Sequence, residues 1–262
     1  MIRKESDDIF ARACGLADRI PGGVVSSLAD VESEAMYLRL DESGLSLVAG
    51  KMELRGDFGQ MLRRVLGGNL QHEKLLRAAR WKGMPDRPLA VDATAGLGED
   101  SFILAAAGYH VILCEYNPII AALLGDALMR AQGGDSGKAG SFIGMECGEE
   151  LREIASRMEL IEGDGAEILA SLEERPDLVY LDPMFPAKRK SGISTKKLQI
   201  FQKLEAPCVD EEALMEAAWK AGPSRIIVKR PVKGLPLAGR RPGFSIGCKT
   251  VRYDCYLPSE TV

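Results

Sequence analysis

Hydrophobic and polar positions divide the 262-residue chain at about residue 85. From Leu89 onward, short apolar runs alternate with longer stretches in which apolar residues recur every three or four positions. Leu89-Ala90-Val91-Asp92, His110 to Glu115, Glu159 to Glu162, Asp177 to Leu181 and Arg225 to Lys229 each read as a short buried strand. Helices are predicted between them. One runs from Glu99 to Ala107 and stops at Gly108. Another is capped by Asn117, takes Pro118 in its first turn and carries Ile120, Leu123, Leu124 and Leu128 on one face. A third runs from Asp210 through Ala218. The tail, Val251 to Leu257, alternates as a half-exposed strand would. Strand and helix in alternation predict an α/β fold with a mostly parallel, doubly wound sheet.

Residues 1–85 read as a small N-terminal α+β unit. Ala35 to Leu40 and Leu45 to Val48 are short strands joined by the turn Asp41-Glu42-Ser43-Gly44, and Lys51 to Phe58 continues the sheet. Asn69 is placed to cap a helix through Leu70, Leu75, Leu76 and Ala79. Met84-Pro85-Asp86-Arg87-Pro88 marks a boundary, giving units 1–85 and 86–262. Gly133-Gly134-Asp135-Ser136-Gly137-Lys138 imitates a phosphate loop, but Gln132 and Ala139 break the required spacing. The Gly133–Gly140 stretch is expected to be a connection.

A composition that is 46% hydrophobic supports a proper core. The net charge of −4 excludes a uniformly polybasic protein, yet 15 Lys/Arg face five Asp/Glu between Pro186 and Arg252. Such a basic stripe on an acidic chain is expected where one face meets phosphate. The six cysteines are scattered without a C-x-x-C pair, so no zinc site, other metal or disulfide framework is expected. No run has the length of a membrane span, and the N-terminus lacks a signal-peptide core; a cytoplasmic protein is expected.

Acidic residues recur at or just after the strand ends: Asp92, Glu115, Asp164 and Asp182. Ligands of open α/β sheets bind at the carboxyl ends of the strands. A row of carboxylates there suits a cationic nucleoside, and S-adenosylmethionine combines a sulfonium with a ribose diol. Glu115 is assigned to the ribose hydroxyls. Gly96 and Gly98 are expected to let the backbone approach the ligand. Glu99 and Asp100 would meet its amino-acid end, and Asp164 or Gly165 its adenine edge. A nicotinamide fingerprint fits less well, because Ser101 stands where its third glycine would be.

The corner Asp182-Pro183-Met184-Phe185-Pro186 then suggests the acceptor. An exocyclic base amine is a poor nucleophile because its lone pair is delocalised into the ring. The Asp182 carboxylate and the Pro183 carbonyl can accept its two N–H bonds, while Phe185 stacks on the base. Phosphate contacts are expected from Lys188, Arg189, Lys190, Lys196 and Lys197, with Lys229 and Arg230 in a second group that extends to Lys233, Arg240 and Arg241.

Val91-Asp92-Ala93-Thr94-Ala95-Gly96-Leu97-Gly98, Glu115-x-Asn117-Pro118, Ala121-Ala122-Leu123-Leu124, Tyr180-Leu181-Asp182-Pro183-Met184-Phe185-Pro186 and Val228-Lys229-Arg230-Pro231 resemble the RsmJ family. Those are small-subunit ribosomal RNA guanine-N2 methyltransferases. The resemblance covers roughly residues 88–257. It implies a class I methyltransferase (Rossmann-like) fold, with S-adenosylmethionine contacts at Glu99, Asp100, Glu115, Tyr116, Asp164, Gly165 and Asp182. The implied partner is 16S ribosomal RNA or a small ribosomal subunit precursor. The residues themselves also admit adenine-N6 or cytosine-N4 methylation, and a non-catalytic RNA-binding assembly factor.

Overall fold

The computed structural model describes residues 2–20, 36–133, 147–183 and 210–258. Seven strands form the main sheet: β4 (Leu89–Asp92), β5 (His110–Glu115), β6 (Met158–Glu162), β7 (Leu178–Leu181), β8 (Arg225–Pro231), β9 (Phe244–Gly247) and β10 (Val251–Tyr256). Their spatial order is β6-β5-β4-β7-β8-β10-β9. The first five lie parallel, and β10 is antiparallel to both β8 and β9. The chain leaves β4 towards β5 on one side and returns to β7 on the other. The crevice outside β4 and β7 is therefore the topological switch point, where such sheets bind ligands.

A separate three-stranded antiparallel sheet holds β1 (Met36–Asp41), β2 (Gly44–Ala49) and β3 (Met52–Leu54). The predicted turn is present, with the Asp41 carboxylate accepting the Ser43 N–H at 2.8 Å. This sheet is not freestanding. Leu45, Leu47, Ala49 and Leu54 share one apolar cluster with Ile120 and Leu123 of the helix Pro118–Ala131. The buried Asp126 on that helix accepts the Leu45 N–H at 2.9 Å and pairs with Arg12 and Arg130. Further along, Phe58, Leu62, Leu75 and Leu76 join the core formed by Phe102, Ile103, Tyr109 and Val111, so apolar packing runs across residues 85–86.

The helices are α1 (Ile2–Ala17), α2 (Leu62–Val65), α3 (Lys74–Ala79), α4 (Glu99–Ala106), α5 (Pro118–Ala131), α6 (Cys147–Ala155), α7 (Gly165–Ser171) and α8 (Glu211–Lys220). Asn117 caps α5 by accepting from Ile119 and Ile120, with Pro118 behind it. Asp210 caps α8 by accepting from Ala213 at 2.7 Å. Asn69 does not cap a helix. It opens a 3-10 turn over Asn69–His72, and Glu73, in an extended conformation, separates that turn from α3. The tail strand is also more buried than its alternation predicted, because β10 lies between two strands. The alternating polar pair, Arg252 and Asp254, is joined by two hydrogen bonds of 2.8 and 2.9 Å, and Asp254 is fully buried. Helices α1, α2, α6 and α7 and strand β9 were not predicted. Of the Gly133–Gly140 connection, all beyond Gly133 lies outside the described residues.

Candidate active site

Strand β4 ends at Asp92, and the chain turns through Ala93–Gly98 into α4. Backbone bonds stitch this loop to both neighbours of β4: Ala93 N–H donates to Tyr180 O at 3.1 Å, and Ala95 N–H to Cys114 O at 3.0 Å. Asp92 lies beneath it, 1% exposed. One oxygen accepts the Thr94 N–H at 3.1 Å, and the other accepts the Ser101 hydroxyl. Burial pushes its carboxyl up to about 7, against the opposing pull of those two hydrogen bonds. Asp92 therefore faces the loop it shapes.

Glu115 ends β5 and is 4% exposed. Its Oε2 accepts the Gly96 N–H at 2.9 Å and its Oε1 the Asn117 N–H at 2.8 Å, which fixes the plane of the carboxylate at the rim. Gly96 has φ 56°, a conformation that favours glycine. Gly98, at φ 73°, also meets a packing demand. A Cβ there would come within 3.0 Å of Leu113 and Leu124, so the missing side chain makes room for the core. Asp164, at the exposed end of β6, caps α7 by accepting from Ala166 at 2.8 Å and Glu167 at 3.2 Å. Gly165 is buried, and a Cβ on it would lie 2.1 Å from Ala93 O. Glycine alone lets the start of α7 press against the loop after β4.

Asp182 follows β7. Its N–H donates to Thr94 Oγ1 at 2.6 Å, which ties the Asp182-Pro183 corner to the β4 loop. Pro183 is buried. Lys229, from β8, places its ammonium between two carboxylates: 2.8 Å from Asp182 Oδ2 and 2.7 Å from Asp100 Oδ2. Tyr180, fully buried on β7, donates its hydroxyl to the same Asp100 oxygen at 2.6 Å. Burial drives the Asp182 carboxyl upward, and Lys229 only partly offsets this, so its pKa is raised. Burial acts on Asp100 too, but there Lys229 and Tyr180 win and the pKa is lowered. Burial opposes the Lys229 charge; its two carboxylates outweigh that and raise its pKa.

The structure thus gathers Asp92, Gly96, Glu115, Asp164, Gly165, Asp100 and Asp182 at the carboxyl ends of β4 to β7. Glu99 is exposed on the first turn of α4, and Tyr116 is 55% exposed beyond β5. Two residues predicted to meet phosphate are placed otherwise. Lys229 turns inward onto Asp100 and Asp182. Arg230 is 5% exposed and lies 3.4 Å from Glu211, so it presents no cation to the outside. Phe185, Lys188, Arg189, Lys190, Lys196 and Lys197 lie outside the described residues. The sequence reading held no sign of the parts played by Thr94, Ser101 and Tyr180, nor of the two carboxylate partners of Lys229. A lysine at the carboxyl end of a parallel strand, level with the acids, was the available signal.

A rim of carboxylates around a glycine loop fits a ligand with a positive centre and hydroxyl donors, as S-adenosylmethionine is. Among the described residues no cluster of three His, Cys, Asp or Glu could hold a metal, and no helix is long and apolar enough to cross a membrane.

Known proteins give the same picture. A family model for SAM-dependent methyltransferases, where SAM is S-adenosylmethionine, matches residues 25–258. Ribosomal RNA small subunit methyltransferase J of Thioalkalivibrio sulfidiphilus is 37% identical over 264 residues, covering 98% of this chain and 96% of that protein. The protein of the same name from Tolumonas auensis is 41% identical over 268 residues, covering 98% and 97%. A crystal structure of a SAM-dependent methyltransferase from Neisseria gonorrhoeae superposes with a TM-score of 0.68 at 30% identity, covering 96% of this chain and 93% of that one.

Proposed function

The chain belongs to the ribosomal RNA small subunit methyltransferase J family of SAM-dependent methyltransferases, and from that premise we propose that it methylates the exocyclic N2 of a guanine in 16S ribosomal RNA. The observation that carries this reading is the Asp182-Pro183 corner, pinned through Thr94 to the glycine loop and set beside the rim carboxylates. The substrate is naked RNA or a small-subunit precursor, and such a substrate puts the work in the cytoplasm.

S-adenosylmethionine supplies a methyl group already activated by its sulfonium, so no metal is required. Glu115 would hold the ribose, Glu99 and Asp100 the amino-acid end, and Asp164 and Gly165 the adenine. Gly96 leaves the loop backbone open, and Tyr116 would cover the ligand. Asp92 acts one step back, by shaping the loop.

The acceptor side is the work of Asp182 and Pro183. Their oxygens take the two N–H bonds of the amine, which orients its lone pair. The nitrogen becomes positively charged as it gains the methyl group, and only then is its proton acidic. A fixed carboxylate beside it stabilises that charge and gives the proton a destination. Phe185 would stack on the base, and Lys188, Arg189, Lys190, Lys196 and Lys197 would hold the phosphates on either side.

The test is methyl transfer by the purified protein to 16S RNA from a strain lacking the activity, followed by mass spectrometry of the nucleosides. N2-methylguanosine is expected, and Asp182→Ala should fold and lose the product. Methylated adenine or cytosine in its place would overturn the choice of guanine. Absence of any methylated base, with S-adenosylmethionine not bound, would leave an RNA-binding assembly factor.

A further inference from the structure

Resting on the methyltransferase reading, we propose that Lys229 is a positioning residue for the reaction: it keeps Asp182 ionised and occupies Oδ2, so that Oδ1 is the oxygen presented to the substrate amine. The geometry is specific. One ammonium lies 2.8 Å from Asp182 and 2.7 Å from Asp100, and its side chain is only 25% exposed. Among the described residues Asp182 Oδ1 has no hydrogen-bond partner. The Asp182 N–H is held separately by Thr94, so among the described residues the backbone and one carboxylate oxygen are both fixed and Oδ1 is the acceptor left over.

Without Lys229, two partly buried carboxylates would face each other across the rim. Like charges so placed do not both stay ionised, and the less supported one takes up a proton. Asp100 keeps the Tyr180 hydroxyl bond and has Arg64 near it; Asp182 keeps only the pull of Arg230, with no other hydrogen bond to its carboxylate among the described residues. The proton would therefore settle on Asp182. A protonated Asp182 cannot offset the positive charge that develops on the amine, nor accept its proton. Lys229 thus supports the step through Asp182, without reaching RNA.

Several charged or titratable groups face this pair. Arg230 on β8 and Asp92 at the end of β4 act on Asp182, Asp100 and Lys229 link the two, and Tyr180, Arg64 and Tyr253 lie on the Asp100 side. Lys229 is the cation that hydrogen-bonds both carboxylates, and its removal changes the charge seen by Asp182 more than any neighbour does.

The experiment compares Lys229→Met, Lys229→Gln and Lys229→Arg with the parent protein. The first readout needs no RNA: 13C-carboxylate NMR titration of aspartates, with Asp182 assigned from Asp182→Asn. The Asp182 midpoint is expected to rise by about one pH unit or more in the Met and Gln variants and to stay within a few tenths in Arg, which keeps the charge. The second is single-turnover methyl transfer against pH. Its acidic limb should move up by the same amount, with a drop of about tenfold or more at pH values below the parent midpoint, unchanged RNA affinity and recovery in the Arg variant. A lysine needed only for stability would lower the melting temperature and leave both midpoints in place. A lysine that binds phosphate would weaken RNA affinity and reduce its salt dependence at an unmoved limb. Either result overturns the proposal. If the NMR midpoint moves but the parent protein does not methylate ribosomal RNA, the function reading fails and the role of Lys229 towards Asp182 stands.

Discussion

Replacing Asp92 by Asn should remove a pH-dependent destabilisation of about 4 kcal/mol. Asp92 is 1% exposed, and burial lifts its carboxyl from 3.8 to about 7. The difference is about three pH units, and each unit corresponds to about 1.4 kcal/mol. The sign follows from linkage. The folded-state pKa is raised, so between pH ~4 and ~7 the folded protein binds more protons than the unfolded chain, and stability falls as pH rises through that window. The stabilising contribution is complete below the unfolded pKa and is gone above the folded one. Asn can keep both contacts, since its Oδ1 can accept the Thr94 N–H while its amide donates to Ser101 Oγ. The assay is urea unfolding of both proteins at pH steps from about 4 to 8.5, plotting the difference in stability so that other groups cancel. That difference should change by about 1.4 kcal/mol per pH unit inside the window and level off outside it. A flat difference curve, or one of opposite slope, would refute the reasoning. Because Asp92 shapes the loop and does not line the site, Asp92→Asn should bind S-adenosylmethionine within about threefold of the parent protein, a change of well under 1 kcal/mol.

Other substitutions test the rim. Glu115→Gln keeps the volume but sets an amide donor against the Gly96 or Asn117 N–H, so calorimetry should find S-adenosylmethionine binding weakened by about tenfold or more; parent-like affinity would remove Glu115 from the cofactor site. Gly165→Ala places a Cβ 2.1 Å from Ala93 O, and backbone must move to admit it. A loss of about 1–3 kcal/mol in stability is expected, together with weaker cofactor binding because the β4 loop shifts. An unchanged melting temperature would show that the contact is not as close as described.

Much of this protein was legible residue by residue. The five parallel strands are short runs legible in the sequence, and the ends of four of them are marked by Asp92, Glu115, Asp164 and Asp182. The starts of α5 and α8 are written in Asn117-Pro118 and Asp210, because a cap acts within three residues of itself. Such local rules need no knowledge of the rest of the chain. The short strand β9 and the helix α7 escaped them. β9 is mostly exposed and has no apolar periodicity, and α7 begins at an aspartate that was read for a ligand contact alone and is also its cap.

The sequence by itself determined the α/β order, the row of acids and the Asp-Pro corner. Tertiary structure decided which way each rim residue faces. Lys229 reads as one more cation in a basic stripe until the sheet brings it against Asp182 and Asp100, partners 47 and 129 residues away. Gly98 reads only as space for a ligand, and the packing demand on it comes from Leu113 and Leu124, which close on it from the core side. In both cases the deciding contact spans the fold. No local pattern can encode it, because the direction of a side chain at a strand end is set by the neighbours that sheet order and helix packing deliver there.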